Sequence, residues 1–235
     1  MGTDNAREFS SAAKGETIED TIRIVSGYSD VIVLRHYEEG AARRAAAVSS
    51  VPVINAGDGP GQHPTQALLD LYTIRDEIGH VDGISIAMVG DLANGRTVRS
   101  LTYLLSKFRD IRVCFVAPPQ VAMRQDIKEH LDEHRVPWTE TQDLDAVLPQ
   151  VDVVYQTRIQ KERFPDEASY LDVKGIYRID ARAMSLLQKS AIVMHPLPRV
   201  DEIAQEIDSD PRAAYFRQAR NGMYIRMALL DRVLS

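Results

Sequence analysis

Short runs of Val and Ile alternate along the chain with stretches of helical periodicity, and this alternation constrains the fold more than any other sequence feature. The runs are continuously apolar, as in parallel strands that are covered on both faces. The predicted strands are Asp30–Leu34, Val51–Ile54, Ile84–Val89, Ile111–Val116, Val151–Tyr155 and Ala191–Met194. The predicted helices are Thr17–Tyr28, Pro64–Ile78, Arg96–Phe108, Val121–Glu133, Asp180–Leu187 and Asn221–Leu234. The pattern therefore predicts an α/β protein whose parallel sheets are flanked by helices.

The order of these elements predicts two domains. The first comprises residues 1–63 together with 219–235, and the second comprises residues 64–218. The first domain contains two predicted strands, which make a thin sheet, so we expect it to be incomplete. With 235 residues the chain is long enough for a substantial core.

Composition excludes several classes of protein. Lys and Arg number 28 against 34 Asp and Glu, and this acidic balance argues against a nucleic-acid partner. No apolar run approaches the ~18–20 residues of a membrane span, so no membrane partner is expected. A single cysteine, Cys114, excludes an internal disulfide and a zinc site built from several cysteines. Residues 1–11 lack a signal-peptide pattern, which predicts a cytoplasmic location.

Polar residues follow several predicted strands, at the edge where α/β proteins place functional groups. Arg35 directly follows the run Val31–Leu34, and a glycine-rich turn precedes His63. Gln66 lies three residues after His63, so both side chains share one helix face. A helix N-terminus disfavours the protonated imidazole, and a neutral His63 can donate a hydrogen bond to a carbonyl.

Two further loops, Thr157–Arg163 and His195–Arg199, also follow predicted strands. Arginine binds carboxylate and phosphate groups through two parallel hydrogen bonds, so arginines at several strand ends of an acidic chain indicate anionic substrates. Taken alone, each arginine is more often a surface salt-bridge partner.

The segment Gly90–Thr97 matches the P-loop pattern except that Arg96 replaces the lysine. A P-loop nucleotidase is therefore an alternative. It is disfavoured because a second acidic magnesium ligand is not evident and a planar guanidinium does not replace a lysine ammonium. Arg96 still lies at a helix start near the carboxyl edge of the predicted sheet, where small ligands bind in doubly wound folds.

Taken together, these segments resemble the aspartate carbamoyltransferase catalytic chains of the aspartate/ornithine transcarbamoylase family. The matching segments are Lys14–Thr17, Leu34–His36, Asn55–Gly59, His63–Gln66, Gly90–Asp91, Gly95–Thr97, Thr157–Arg158, Gln160–Arg163 and His195–Ile203. An ornithine-specific relative is expected to carry a cysteine at the position of Pro196, so this residue favours aspartate.

The resemblance implies transfer of the carbamoyl group from carbamoyl phosphate to L-aspartate, giving N-carbamoyl-L-aspartate and phosphate, in pyrimidine biosynthesis. The residues it implies for carbamoyl phosphate are Ser10, Arg35, His63, Gln66 and the backbone carbonyls of Leu197 and Pro198. The residues it implies for aspartate are Lys14, Arg96, Arg158 and Gln160. Arg35, His63 and Lys14 are expected to be catalytic, the first two by polarising the carbonyl. No cofactor and no metal are expected.

In this family the loop that carries Ser10 and Lys14 reaches into a neighbouring subunit's site. The resemblance therefore implies a homotrimer, and a regulatory chain is a possible further partner.

Two departures from the family pattern affect these expectations. The family's Ser-Thr-Arg-Thr-Arg loop, which cradles the phosphate, does not occur in this sequence, and Ala13 replaces a lysine of many relatives. We therefore expect a truncated chain with impaired transfer. The alternatives are a non-catalytic binding or interaction protein on the same fold, and a transcarbamoylase of another amino acid.

Overall fold

The structure is a computed structural model, and it describes residues 15–59, 61–159, 166, 170, 171, 173 and 175–235. The chain divides into two compact units. Unit 1 is Met1–His63 with Arg226–Ser235, and unit 2 is Pro64–Ile225. Among the described residues, no helix has both the length and the apolar composition that crossing a membrane would require.

Unit 1 contains a small parallel sheet and its helices. The elements are α1 (Ile18–Ser26), β1 (Ile32–His36), α2 (Ala41–Val48) and β2 (Val53–Asp58). Thr17 caps the N-terminus of α1, because its hydroxyl accepts a hydrogen bond from the backbone N–H of Asp20 at 3.2 Å. Ile22, Ile32 and Ala45 form the buried core of this unit.

The register of the small sheet shifts near its carboxyl edge. Leu34 pairs with Asn55, but His36 pairs with Asp58, so β2 contains one residue more than β1 over this stretch. Gly57, within the longer stretch, has φ 123°, a conformation that glycine adopts without the steric cost of a side chain.

Unit 2 contains a five-stranded parallel sheet in the order β5-β4-β3-β6-β7. Its strands are β3 (Ser85–Val89), β4 (Arg112–Val116), β5 (Trp138–Thr141), β6 (Val153–Gln156) and β7 (Ile192–Met194). Its α-helices are α3 (Pro64–Ile78), α4 (Arg96–Leu105), α5 (Gln125–Glu133), α6 (Leu144–Val147) and α7 (Ala181–Leu186), and α8 (Tyr215–Leu234) crosses the boundary between the units.

The strand order creates a topological switch point in unit 2. From β3 the chain proceeds outwards to β4 and β5, and it then returns to place β6 on the other side of β3. Connections after β3 and β6 therefore leave the sheet in opposite directions. The crevice between the carboxyl ends of two such strands is where open α/β sheets bind ligands.

Two buried hydrophobic clusters cover the two faces of this sheet. One cluster includes Ile86 and Met88 of β3, and the other includes Ala87 and Val89 of the same strand. β3 is buried at every position. Continuous burial explains the absence of hydrophobic alternation in its sequence.

The predicted fold class is confirmed, and all six predicted strands form with bounds shifted by at most a few residues. The sequence analysis did not identify β5, because this edge strand, Trp-Thr-Glu-Thr, is polar and half exposed. It also did not identify α2. Helix α8 begins at Tyr215 rather than at Asn221, because Gln218 interrupts the apolar pattern and yet is buried.

Candidate active site

In unit 1, a tight turn delivers His63 to the start of α3. Asp58 is buried, and its carboxylate accepts hydrogen bonds from the backbone N–H groups of Gly40 at 3.0 Å and Gln62 at 2.9 Å. Gly59 has φ 53°, and a Cβ there would lie 2.1 Å from the carbonyl oxygen of Tyr37, so only glycine fits. His63 itself is half-buried.

Arg35 is the residue of β1 at which the register of the small sheet shifts. Its side chain is exposed. Because Arg35 and His63 belong to unit 1, the local geometry of that unit positions both of them.

In unit 2, the segments that follow β3 and β6 are in direct contact at the switch point. Thr157 donates hydrogen bonds from its backbone N–H and its hydroxyl to the carbonyl of Val89, both at 2.8 Å. Gly90 has φ 111°, and a Cβ there would lie 2.4 Å from the carbonyl oxygen of Thr157. Any larger residue at position 90 would therefore force apart the two segments that carry Arg96 and Arg158.

The loop between Gly90 and α4 is held by Asp91. This buried carboxylate accepts hydrogen bonds from the backbone N–H of Asn94 at 3.0 Å and from its amide at 3.1 Å. Gly95 passes so close to Asp91 that a Cβ would lie 2.6 Å from the Asp91 carbonyl oxygen. The loop places the N-terminus of α4, and Arg96 with it, after the central strand. A helix N-terminus together with an arginine favours an anionic ligand.

The turn after β7 is fixed by two buried ionisable groups, His195 and Glu202. The backbone N–H of Leu197 donates to Nδ1 of His195 at 2.8 Å, so the proton of this imidazole lies on Nε2 and is shared with Glu202 at 2.8 Å. The second oxygen of Glu202 accepts the backbone N–H groups of Val200 and Asp201 at 3.1 Å each. Burial opposes ionisation of Glu202, but these hydrogen bonds outweigh it and hold the pKa of its carboxyl below the usual value.

A buried carboxylate that the sequence analysis did not identify lies next to Gln66, one turn further along α3. Asp70 of α3 is fully buried. Its Oδ1 accepts hydrogen bonds from the amides of Gln66 at 2.8 Å and Gln218 at 2.6 Å, and its Oδ2 accepts one from the Tyr155 hydroxyl at 2.7 Å. Burial raises the pKa of Asp70 to about 7. Burial and the adjacent Asp70 carboxylate raise the pKa of Tyr155 well above its usual value.

Gln218 connects this carboxylate to the turn after β7, because its Oε1 accepts the backbone N–H of His195 at 2.8 Å. The structure therefore brings Gln66 and the turn of Leu197 and Pro198 into one hydrogen-bond network. The spacing of four residues between Gln66 and Asp70 was a sequence signal for their contact. Nothing in the sequence indicated Gln218.

The predicted site residues fall into three groups in the structure. Arg35 and His63 lie in unit 1. Arg96 and Arg158, both half-buried, follow the adjacent strands β3 and β6. Gln66, Leu197 and Pro198 share the network of Asp70, with Leu197 at φ 47° and Pro198 exposed. The predicted site residues Ser10, Lys14 and Gln160 lie outside the described residues.

Arg199, the last residue of the strand-end loop His195–Arg199, pairs with another side chain of unit 2. Its guanidinium forms an ion pair with Asp208, with Nη2 and Oδ2 at 2.6 Å. It also lies over the ring of Tyr215, 5.2 Å from the centroid. These contacts give Arg199 a structural role.

A separate group of potential metal ligands lies at the end of α5. His130, Glu133 and His134 each offer one ligand atom, and these atoms lie within 4.8 Å of one another. His130 is half-buried and the other two residues are exposed. The group precedes β5, so it lies at the amino edge of the sheet, away from the loops described above.

Two family models match the chain. Residues 1–76 match "Aspartate/ornithine carbamoyltransferase, carbamoyl-P binding domain", and residues 82–233 match "Aspartate/ornithine carbamoyltransferase, Asp/Orn binding domain". The chain belongs to the aspartate/ornithine carbamoyltransferase family. The P-loop alternative is left without support.

Similar proteins include the chloroplastic aspartate carbamoyltransferase of Arabidopsis thaliana, 64% identical over 235 residues, which cover all of this chain and 60% of that protein. The aspartate carbamoyltransferase catalytic subunit of Methanocaldococcus jannaschii is 53% identical over 226 residues, covering 96% of this chain and 73% of that protein. This chain therefore spans a little over half of the plant protein's length and about three quarters of the archaeal one's.

Solved structures of the same family superpose closely on this chain. The catalytic subunit of aspartate transcarbamoylase from M. jannaschii matches with a TM-score of 0.90 and 53% identity, over 97% of this chain and 74% of that one. Aspartate transcarbamoylase from Trypanosoma cruzi in complex with N-(phosphonacetyl)-L-aspartic acid matches with a TM-score of 0.89 and 49% identity, over 97% and 73%. The same enzyme in complex with carbamoyl phosphate and aspartate matches with a TM-score of 0.88 and 48% identity, over 97% and 74%.

The predicted cytoplasmic location is wrong. Relatives that are 64% identical, from Arabidopsis thaliana, Pisum sativum and Oryza sativa, are all named chloroplastic. The prediction relied on residues 1–11, and this chain spans 60–65% of the length of these relatives, so its first residues carry no information on targeting.

Proposed function

We propose that the protein transfers the carbamoyl group of carbamoyl phosphate to L-aspartate, giving N-carbamoyl-L-aspartate and phosphate, as a step of pyrimidine biosynthesis. The observation that carries this proposal is the 64% identity to an aspartate carbamoyltransferase across all 235 residues. Complexes of the T. cruzi enzyme with carbamoyl phosphate and aspartate support both substrates. We assign carbamoyl phosphate to the first predicted domain, residues 1–63 with 219–235, and aspartate to residues 64–218.

In this reaction the amino nitrogen of aspartate attacks the carbamoyl carbon and loses a proton, a C–N bond forms, and the C–O bond to phosphate breaks. Negative charge develops on the carbonyl oxygen. Arg35 and His63 are assigned to donate hydrogen bonds to that oxygen, where preorganised donors contribute most to the rate. The position of His63 directly before α3 favours the neutral imidazole, which retains an N–H donor.

Gln66 and the backbone carbonyls of Leu197 and Pro198 are assigned to the carbamoyl amino group. Arg96 and Arg158, with Gln160, are assigned to the two carboxylates of aspartate, since a guanidinium binds a carboxylate through two parallel hydrogen bonds. The contact between Gly90 and Thr157 supports this assignment, because it holds together the two segments that carry these arginines. Binding and orientation supply the rate in such a site.

Assembly and location are further parts of the proposal. We assign Ser10 and Lys14 to the site of a neighbouring subunit, which requires a homotrimer, and a regulatory chain is a further possible partner. The names of the plant relatives support a plastid location for this protein. Light scattering of the purified chain tests the assembly, and a monomer that transfers carbamoyl groups would contradict the shared site.

A carbamoyl-transfer assay with Arg158→Ala tests the proposed function. Each charge-assisted hydrogen bond contributes roughly 1.5–3 kcal/mol, so the variant should bind aspartate and succinate at least about tenfold more weakly. Arg182→Ala is the matched control, because Arg182 is an exposed arginine that pairs with Asp145. Its affinity for succinate, measured by calorimetry, should equal that of the parent.

Other outcomes decide between the alternatives. Transfer to ornithine but not to aspartate would indicate a different amino-acid substrate. Dicarboxylate binding without any transfer would indicate a non-catalytic binding protein. The rate of the 235-residue chain also tests the prediction of impaired transfer.

A further inference from the structure

Asp70 lies at the centre of the only described network that joins two of the proposed carbamoyl-binding groups. Its side chain is 0% exposed, and its three hydrogen-bond partners come from α3, β6 and α8. A buried carboxylate carries a large desolvation cost, which hydrogen-bond donors must offset. The proposed chemistry assigns no direct role to this residue.

An ionised carboxylate only accepts hydrogen bonds, whereas a glutamine amide has a donor end and an acceptor end. Above a pH of about 7, where Asp70 is ionised, its carboxylate therefore determines which end of a neighbouring amide faces it. Nε2 of Gln66 faces Asp70 at 2.8 Å, and its Oε1 is consequently the end that remains for other partners. The Tyr155 hydroxyl, which donates to the other oxygen of Asp70, also interacts with Gln66 and Thr97.

Two contacts determine the orientation of the Gln218 amide, and together they show which group donates and which group accepts at Asp70. The backbone N–H of His195 is a donor, and it lies 2.8 Å from one end of the Gln218 amide. That end must be Oε1, so the end that faces Asp70 at 2.6 Å is the donor Nε2. Asp70 is thus the acceptor of this bond, as the contact with Gln66 also requires.

We propose that Asp70 is a positioning residue that makes the site recognise the amino group of carbamoyl phosphate. It presents the acceptor Oε1 of Gln66 and, through Gln218 and His195, it fixes the turn that carries the carbonyls of Leu197 and Pro198. A carbamoyl group has two N–H donors and needs such acceptors, whereas an acetyl group has a methyl in that position. Asp70 therefore favours carbamoyl phosphate over acetyl phosphate. This inference rests on the proposed function.

The first test measures amide orientation in the full chain without a ligand. The variant Asp70→Asn retains the size of the side chain but adds a donor, so the amide of Gln66 is no longer forced into one orientation. Thr73→Val is the matched control, because buried Thr73 of the same helix bonds to Asn221 at 3.1 Å rather than to Asp70. Side-chain amide resonances of Gln66 and Gln218 are assigned with Gln66→Leu and Gln218→Leu.

In the parent and in Thr73→Val, we expect the amide protons of both glutamines to exchange slowly and to shift together as Asp70 titrates. Tyr155, the titratable partner of Asp70, remains protonated over this range because its pKa is raised. In Asp70→Asn the shared pH dependence should disappear and the exchange of the Gln66 amide should accelerate at least about tenfold. Rapid exchange of Gln66 in the parent, or no change in the variant, would overturn the inference.

The second test compares the dissociation constants of carbamoyl phosphate and acetyl phosphate. Asp70→Asn should weaken carbamoyl phosphate binding at least tenfold while it changes acetyl phosphate binding less than twofold. Equally weakened binding of both ligands would show that the role of Asp70 is structural, and it would overturn the inference. If the parent binds neither ligand, the proposed function fails for this chain, and the amide exchange still decides whether Asp70 orients Gln66.

Discussion

Both units are built on parallel strands, but they differ in how well these strands are covered. In unit 2, β3 is buried at every position, and core residues lie on both faces of the sheet. In unit 1, the described buried core comprises Ile22, Ile32 and Ala45, and Val33 of β1 is 58% exposed. A two-stranded sheet is marginally stable by itself. The comparison indicates that unit 2 carries most of the stability of the described chain.

The same difference extends to the candidate site. In unit 2, buried hydrogen bonds of Asp70 and Glu202 fix the side chains and the turns around the switch point. In unit 1, Arg35 projects from an exposed position of a thin sheet. Unit 2 is therefore preorganised by its own packing, whereas unit 1 has less internal structure to hold its site residues.

The largest expected effect comes from removing equal volumes from the two cores. Ile86→Ala in β3 should reduce the free energy of unfolding of unit 2 by ~2–5 kcal/mol, because the cavity is surrounded by close-packed side chains. Ile32→Ala in β1 should leave the free energy of unfolding of unit 2 unchanged. The single tryptophan, Trp138, lies in unit 2, so its fluorescence in a urea titration monitors that unit.

Hydrogen exchange of the amides in β1 and β2 monitors unit 1 in the same variants. Ile32→Ala should accelerate this exchange selectively. If Ile32→Ala lowered the tryptophan midpoint as much as Ile86→Ala, the two units would unfold as one, and the contrast between them would be lost.

The next effect in size is a difference in pH dependence. The pKa of Asp70 is raised from 3.8 to about 7 by burial, so its proton stabilises unit 2 fully below pH 3.8, and this stabilisation is lost as the pH rises through about 7. Asp70→Asn lacks this dependence. Between pH 4 and 7 the free energy of unfolding of the parent should therefore decrease relative to the variant, by at most on the order of 4 kcal/mol.

Unit 1 should respond in a different pH range. Hydrogen bonding to Arg44 lowers the pKa of Glu19 to about 2, so its stabilisation is present above pH 4.5 and is lost as the pH falls towards 2. Acidification from pH 7 to 5 should thus increase the free energy of unfolding of unit 2 and leave that of unit 1 unaffected. Urea titrations of the parent and of Asp70→Asn across this range measure the difference, and parallel pH profiles would contradict the burial of an ionisable Asp70.

The smallest expected effect comes from a matched pair of helix caps. Thr17 caps α1 of unit 1, and Asp180 caps α7 of unit 2 by accepting the backbone N–H of Ala183 at 3.0 Å. Replacing either cap by alanine should cost ~1 kcal/mol. Thr17→Ala should accelerate amide exchange in unit 1. Asp180→Ala should lower the midpoint of the urea unfolding transition that Trp138 fluorescence monitors. A shift of that transition in both variants would argue against separate stabilities.

The sequence determined the class of the fold and most of its local elements, with β5 and α2 as exceptions. Helix α3 spans Pro64–Ile78 as predicted, because a proline at the first turn and a regular apolar pattern are properties of neighbouring residues. The continuous Val and Ile runs likewise specified parallel strands, which are covered on both faces at β3 but not at β1, where Val33 is exposed. The loops of Arg35, His63, Arg96 and Arg158 were identified because each directly follows a strand or precedes a helix.

Only the tertiary structure decided the roles of Asp70, Tyr155 and Gln218. The bond from Tyr155 to Asp70 joins residues 85 positions apart, and that from Gln218 joins residues 148 positions apart. By sequence, Asp70 and Gln218 are polar residues that a helix normally exposes, and α8 was for that reason predicted to begin too late. Their burial is favourable only because folding supplies donors for a carboxylate and an acceptor for the His195 N–H. Such pairing depends on the packing of distant segments, and no local pattern contains it.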